Sequence, residues 1–317
     1  MIKKINQDGC LLTIGIILIS FVCLSNAAYS QDPNGLFEWS IGTSKQAFYP
    51  SEPVLLTLNI KNTGMREDEI NFGADGIEAF SIEIHDSNGI VVAKGGKIKK
   101  YGISRIGDCM VSPGKTVQKS IVLNRWCPTL IPPGLYHIQC NVDYRLISED
   151  QKQPNNIALK AGPIHKIQLC TDIQIIELNK EKFENIIKNL ADLEIKPQRI
   201  TKEWIDKREI AREMIAFTES ELAIPYQLQI LKSDSPNWFE LNTINTIARS
   251  GNIEAANGLI KLMEDPSFKK KENYAKNSII EAIYKLRETG KPEILSATSE
   301  FVAKHKRPVI PTVTVAD

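Results

Sequence analysis

The residues able to do chemistry are few and scattered. Four histidines, His85, His137, His165 and His305, stand among 317 residues. The sequence has no HExxH, no GxSxG nucleophile elbow, no P-loop and no GxGxxG opening a helix. His85 sits beside a turn and His137 on the outer face of a strand. Metal sites need clustered ligands, so both are expected to be surface imidazoles. His165 lies at a strand entry and His305 at a helix end. Glu67-Asp68-Glu69 with Asp75 offers the hard oxygen ligands that calcium takes, but the spacing matches no EF-hand loop. A solvated acidic loop is the expectation there. Lys269-Lys270-Lys271 reads as a solvated interhelix run. Trp238 and Phe239, in the first turn of a helix, are expected to pack on the preceding helical unit rather than to bind. No catalytic residue, metal ligand or cofactor is expected, and the chain reads as a non-enzyme.

The cysteines depend on compartment. Lys3 and Lys4 form a positive n-region, Leu11–Leu24 an apolar stretch of 14 residues, and Ser25-Asn26-Ala27 a small-residue cleavage pattern. That is the anatomy of a secretory signal peptide over residues 1–27. Spanning a bilayer takes about 20 apolar residues, so this stretch is short for an anchor, and the membrane is a partner only if the segment stays uncleaved. Export to a periplasm, cell surface or medium follows, and with it an oxidising compartment. Of six cysteines, Cys10 and Cys23 leave with the signal. Cys109, Cys127, Cys140 and Cys170 remain, an even set that favours two disulfides. Three connectivities are open. Proximity favours Cys109–Cys127, a loop of about 18 residues adding about 3 kcal/mol, and Cys140–Cys170. Parity cuts against the second pair: Cys140 is in phase with Ile138 and Val142, whereas Cys170 is out of phase with Leu169 and Ile173. With no CxxC spacing, neither a redox motif nor a zinc knuckle is indicated.

Charge excludes one partner class. Residues 28–317 carry 37 basic and 37 acidic side chains, balanced in both halves. A nucleic-acid binder needs a concentrated positive stripe, and none is present beyond the three-lysine run. At 42% hydrophobic and 24% charged residues, the composition is that of a folded chain of about two domains.

From residue 35 to 178 the apolar period is 2. Val54, Leu56, Leu58 and Ile60 make one face; Phe80, Ile82 and Ile84 another, with Ser81, Glu83 and His85 outward. Asp86-Ser87-Asn88-Gly89 supplies a hairpin turn in which Asn-Gly takes positive φ, and Ile90-Val91-Val92 returns. Leu36–Ile41, Thr116–Leu123, Tyr136–Tyr144 and Ile164–Ile176 complete about seven strands, the pattern of an immunoglobulin-like antiparallel β-sandwich. Pro113-Gly114 and Pro133-Gly134 each launch the strand that follows. Taken in order, Leu56–Asn62 (LTLNIKN), Phe80–Val92 (FSIEIHDSNGIVV), Ser112-Pro113-Gly114 and Pro133-Gly134-Leu135-Tyr136 resemble the BsuPI-type proteinase-inhibitor domain over roughly residues 45–145. The resemblance implies an immunoglobulin-like sandwich, and its name implies inhibition of a serine proteinase.

After Leu178 the period becomes 3.6. Phe183, Ile186, Ile187 and Leu190 form a stripe that ends before Pro197. Thr201 caps a second helix bearing Trp204, Ala211, Met214 and Ile215. Ser235-Pro236 starts another, which Gly251 ends. At an offset of 39 residues Ile244, Ile247, Gly251, Glu254, Ala256 and Leu262 fall on Ile283, Leu286, Gly290, Glu293, Leu295 and Phe301. Two helices per unit of about 40 residues resemble HEAT or armadillo-like repeats, with Glu219–Leu231 a degenerate preceding unit and a plain helical bundle the alternative. The helical domain spans residues 179–305, and residues 306–317 form an extended tail in which Thr312–Val315 alternates like a strand. The expectation is an exported, non-enzymatic protein-binding or scaffold protein. Its unidentified protein partner docks on the helical surface or the sandwich edge; a secreted proteinase inhibitor is the alternative.

Overall fold

The computed structural model describes residues 30–31, 35–74, 76–96, 106–127, 131–147, 163–195, 201–233, 239–269 and 273–308. The expected signal segment, Asp75, Pro197, Ser235-Pro236, Trp238, Lys270-Lys271 and the tail from residue 309 lie outside them.

Strands come first: β1 (Ser30–Gln31), β2 (Phe37–Thr43), β3 (Ala47–Phe48), β4 (Leu55–Asn62), β5 (Asp68–Ala74), β6 (Phe80–Asp86), β7 (Val91–Gly95), β8 (Ile106–Val111), β9 (Thr116–Val122), β10 (Gly134–Ile147) and β11 (Ile164–Ile175). One sheet has the order β1-β2-β4-β9. The other is built on the long strand β10, which pairs with β11 along one side. Along its other side it pairs first with β6 and then, from Arg145, with β5. Strand β7 extends the sheet beyond β6, β8 beyond β5, and β3 joins β11 as a short parallel pair.

The two-residue alternation is the reason for this arrangement. Phe37, Trp39 and Ile41 on β2, Leu56, Leu58 and Ile60 on β4, Phe80, Ile82 and Ile84 on β6, and Ile138, Cys140 and Val142 on β10 are all buried, and they belong to one cluster fed by both sheets. Removing that apolar surface from water is the main favourable contribution. Trp39 lies 4.8 Å from Tyr144, ring centre to ring centre, and Phe72 stacks on Phe80 at 5.5 Å.

Two local expectations are corrected, and one strand, β8, was not anticipated. Glu67-Asp68-Glu69 does not open an acidic loop: Asp68 and Glu69 begin β5, whose Ile70 and Phe72 are buried. Only two apolar residues mark the strand, too short a run to announce itself beside three carboxylates. Strand β8, which carries Cys109, has equally little apolar alternation. In the β6–β7 hairpin only Gly89 takes positive φ (78°). The Asp86 carboxylate accepts from the Asn88 and Ile90 amides at 2.9 Å each, and the register shifts between Ile84 and His85, so a bulged turn closes the hairpin.

Helices follow: α1 (Lys180–Ile195), α2 (Lys202–Ala216), α3 (Ile224–Lys232), α4 (Glu240–Arg249), α5 (Ile253–Glu264), α6 (Pro266–Lys269), α7 (Asn273–Glu288) and α8 (Pro292–Lys304). Thr201 caps α2 by accepting from the Trp204 amide at 3.1 Å, and Asn252 caps α5 through the Ala255 amide at 2.8 Å. Helix α4 runs from Glu240 with Phe239 at its cap position, the Phe239 carbonyl accepting from the Thr243 amide at 2.8 Å; Ser235-Pro236 lie outside the described residues. The α4–α5 and α7–α8 pairs stack, α4 on α7 and α5 on α8. Both turn on a glycine of positive φ, Gly251 at 61° and Gly290 at 71°. Ile244, Ile247, Ile283 and Leu286, which correspond at the 39-residue offset, are all fully buried in one cluster.

The helical region is fastened to the strands. Tyr49 packs against the small cluster of Phe183, Ile187 and Ala223. A 3-10 turn over Leu123–Arg125 leaves β9 and aims Arg125 at the end of α2. It is held by Asn124, whose side-chain oxygen accepts from the Val54 amide at 2.8 Å.

Candidate functional site

The outer face of the second sheet gathers the polar side chains that sequence reading left apart. Parity points residues 83 and 85, 137 and 139, and 170 and 172 away from the core, and the register aligns them in rows. His85 is opposite His137 on β10, and His137 is opposite Asp172 on β11. The next row is Glu83, Gln139 and Cys170.

The first row is closely knit. His137 Nδ1 lies 2.8 Å from the Asp172 carboxylate. His85 Nδ1 lies 3.3 Å from the Gly89 carbonyl oxygen, across the hairpin turn. The two imidazoles meet edge to face with ring centres 6.5 Å apart. Glu83 Oε2 stands 3.6 Å from His85 Nε2, and its other oxygen pairs with Lys94 Nζ on β7 at 2.5 Å. His85, His137, Asp172 and Gln139 border a cleft of about 490 Å³, with Asp86 at its rim and Leu135 and Tyr136 completing the wall. Tyr136 is fixed in place by donating its hydroxyl to the Pro132 carbonyl at 2.8 Å.

The carboxylates here are held in their charged form. The hydrogen bond from Lys94 lowers the Glu83 pKa below the usual carboxylate range. The Ile90 amide does the same for Asp86. With Asp172 alongside, the rim of the cleft is acidic.

At the hairpin end of the cleft the surface turns apolar. Ile90 is 62% exposed, Val91 45%, Val92 43%, and Leu135 62%. Val91 and Val92 are consecutive, so both faces of β7 meet solvent. Among the described residues β7 pairs only with β6, which leaves its outer backbone edge open.

The other residues singled out from sequence lie elsewhere. His165 stacks on Tyr144 at 5.3 Å, and His305 lies against Phe301 at 4.4 Å. Glu67 accepts from the Ser112 hydroxyl at 2.6 Å, while burial, and after it the charge of Glu69, raises the Asp108 pKa. Among the described residues no three His, Cys, Asp or Glu side chains converge as a metal cage. Phe239 meets Phe217, at the end of α2, at 6.0 Å, edge to face, and Arg125 lies over its ring at 5.7 Å.

All four cysteines stand as free thiols. Cys140 is opposite Leu169 and Cys170 is opposite Gln139, which puts the two sulfurs on opposite faces of the sheet. Burial raises the Cys140 thiol to about 12 and the Cys127 thiol to about 11.

Sequence reading missed Asp172, Lys119 and Arg125. Lys119 lies on the inner side of β9 between Val117 and Ile121, its ammonium 5.2 Å from the Phe72 ring centre, and burial lowers its pKa. A lysine in phase with two apolar residues was the available signal.

No protein-family model and no curated protein matches the chain. Among solved structures, it is similar to a β-glucosidase from Erythrobacter marinus at 14% identity and a TM-score of 0.23, over 44% of this chain and 15% of that one. The sporulation control protein Spo0M of Bacillus subtilis aligns at 16% identity and a TM-score of 0.23, over 50% and 55% of the two chains. A β-glucuronidase of Bacteroides uniformis aligns at 11% and 0.20, over 82% and 32%. The aligned part is thus less than two thirds of the length of each of these proteins. Among the described residues no helix is long and apolar enough to cross a membrane.

Proposed function

We propose that the chain is an exported, non-enzymatic protein-binding module. In this reading residues 1–27 direct export, residues 35–178 form an immunoglobulin-like β-sandwich of the BsuPI type, and residues 179–305 form a HEAT-like repeat domain. The single core shared by two sheets supports the sandwich reading. The matched glycine corners and stacked helix pairs support the repeat reading.

The observation that carries the function is β7. Sheet edges are normally blunted by charge, proline or a cover, because an open edge pairs with foreign strands. This edge carries one lysine, Lys94, already engaged with Glu83, and displays Ile90, Val91 and Val92. The partner is a protein that adds an extended segment along β7. Its apolar side chains cover Ile90, Val92 and Leu135, and basic flanking residues face Glu83, Asp86 and Asp172.

The test is a photo-crosslinking residue placed at Val92, with a second at Gln118 on the outer face of the other sheet, each in the full chain in envelope extract. The reading expects one discrete adduct from Val92, lost in a Val91→Pro background, and none from Gln118. Equal adducts from both positions contradict it. A proteinase captured at Val92 and inhibited by the chain would instead establish the inhibitor alternative.

A further inference from the structure

We propose that the cross-strand pair His85 and His137 chelates a first-row divalent transition-metal ion of the zinc and nickel class, independently of any partner at β7. The argument starts from the nitrogens already spoken for. A backbone carbonyl only accepts, so the Gly89 oxygen fixes the proton of His85 on Nδ1. The Asp172 carboxylate likewise fixes the proton of His137 on Nδ1. In the neutral rings both Nε2 atoms then carry the lone pair. This is the outer-shell arrangement of a metal-ligating histidine, whose second nitrogen donates to a carboxylate or a carbonyl.

The position of the pair agrees. Directly opposed residues on neighbouring antiparallel strands hold their Cβ atoms about 5 Å apart. A metal bound to both rings through bonds of about 2.1 Å needs the ring centres about 5–6 Å apart. The observed 6.5 Å closes with a small rotation of either ring. His85 Nε2 is buried and makes no hydrogen bond, so a ligand there displaces no existing bond. Glu83, 3.6 Å away, adds a negative charge beside the ion. Among the described residues no third side chain converges, which leaves the remaining coordination positions to water. That open coordination makes this an exchangeable site rather than a structural one.

The test uses the tag-free chain and zinc chloride alone, followed by proton NMR of the histidine ring signals. With only four histidines, single-residue variants assign every signal. Zinc is expected to shift the His85 and His137 resonances together at substoichiometric amounts and to leave those of His165 and His305 in place. His85→Gln and His137→Gln are each expected to weaken binding by more than about 10-fold, and Asp172→Asn by about 10-fold through the lost outer-shell bond. His165→Gln leaves affinity unchanged. The proposal is overturned if zinc shifts no histidine, or all four alike, or if the His85→Gln/His137→Gln double variant binds as the parent does.

Discussion

Arg125 donates to the Glu213 carboxylate at 2.9 Å, and this bond joins the end of β9 to the end of α2. Both side chains are mostly withdrawn from water, 10% and 19% exposed. The guanidinium also lies 5.6 Å from the Phe217 ring centre and 5.7 Å from that of Phe239. One residue therefore ties the strands to the end of α2 and the start of α4, and the two regions should unfold together. Arg125→Ala is expected to cost about 2–3 kcal/mol, since it removes a charge-assisted hydrogen bond and the packing of the guanidinium on two rings. Urea unfolding followed by both tryptophan fluorescence and helical circular dichroism should show coincident transitions in the parent and separated ones in the variant. Coincident transitions in both would show that the bond does not couple the regions.

The β7 edge is anchored at one glycine. A Cβ on Gly95 would stand 2.4 Å from the Trp126 carbonyl oxygen and 2.5 Å from its Cβ, whereas one on Gly96 would meet nothing within 4 Å. Backbone cannot yield as a flexible side chain does, so Gly95→Ala is expected to cost about 3 kcal/mol and Gly96→Ala less than 1 kcal/mol. Chemical denaturation of the two variants decides it, and equal losses would contradict the packing of β7 on the Trp126 loop.

Thiol reactivity should divide by face and burial. Thiolates are the reactive form, and burial keeps Cys140 and Cys127 protonated. Timed alkylation read by mass spectrometry is expected to modify Cys170 first in the folded chain, Cys109 more slowly because it packs on the core and burial raises its pKa, and Cys127 and Cys140 only on unfolding. A Cys140–Cys170 disulfide in native protein would contradict the β10–β11 register, because it requires the strands to slip by one residue.

Lys119 gives stability a pH dependence of known sign. Burial lowers its pKa in the folded chain below the ordinary 10.5. Between the two values the unfolded chain binds more protons, so this group makes stability rise with pH up to about 10.5 and adds nothing to the slope beyond. Lys119→Met should flatten the parent's rise on the approach to about pH 10.5, measured as urea midpoints. Parallel pH profiles would show that the ammonium is not desolvated.

Where a signal repeats within one segment, the sequence made the structure legible. Three in-phase residues on β4, with Val54 just before it, and three on β6 placed those strands, and the paired glycines at 251 and 290 placed the helical corners. Strands β5 and β8 escaped because charged and small residues leave them little alternation to read. The candidate site escaped for another reason. His85, His137 and Asp172 are 52 and 35 residues apart in sequence, and only the pairing registers on both sides of β10 bring them into one row. Parity reading did establish that His137 faces outward and that Cys140 and Cys170 face apart. What it lacked was which strands are neighbours.

The docking reading turns on β7, and amide hydrogen exchange of the full chain tests it most directly, with and without the partner crosslinked at Val92. Strand addition is expected to slow exchange within Val91–Lys94 by at least 10-fold, through new hydrogen bonds along the open edge. The helices should exchange as before. Unchanged exchange in β7 with protection confined to α5 and α8 would contradict the account and move the partner to the helical surface.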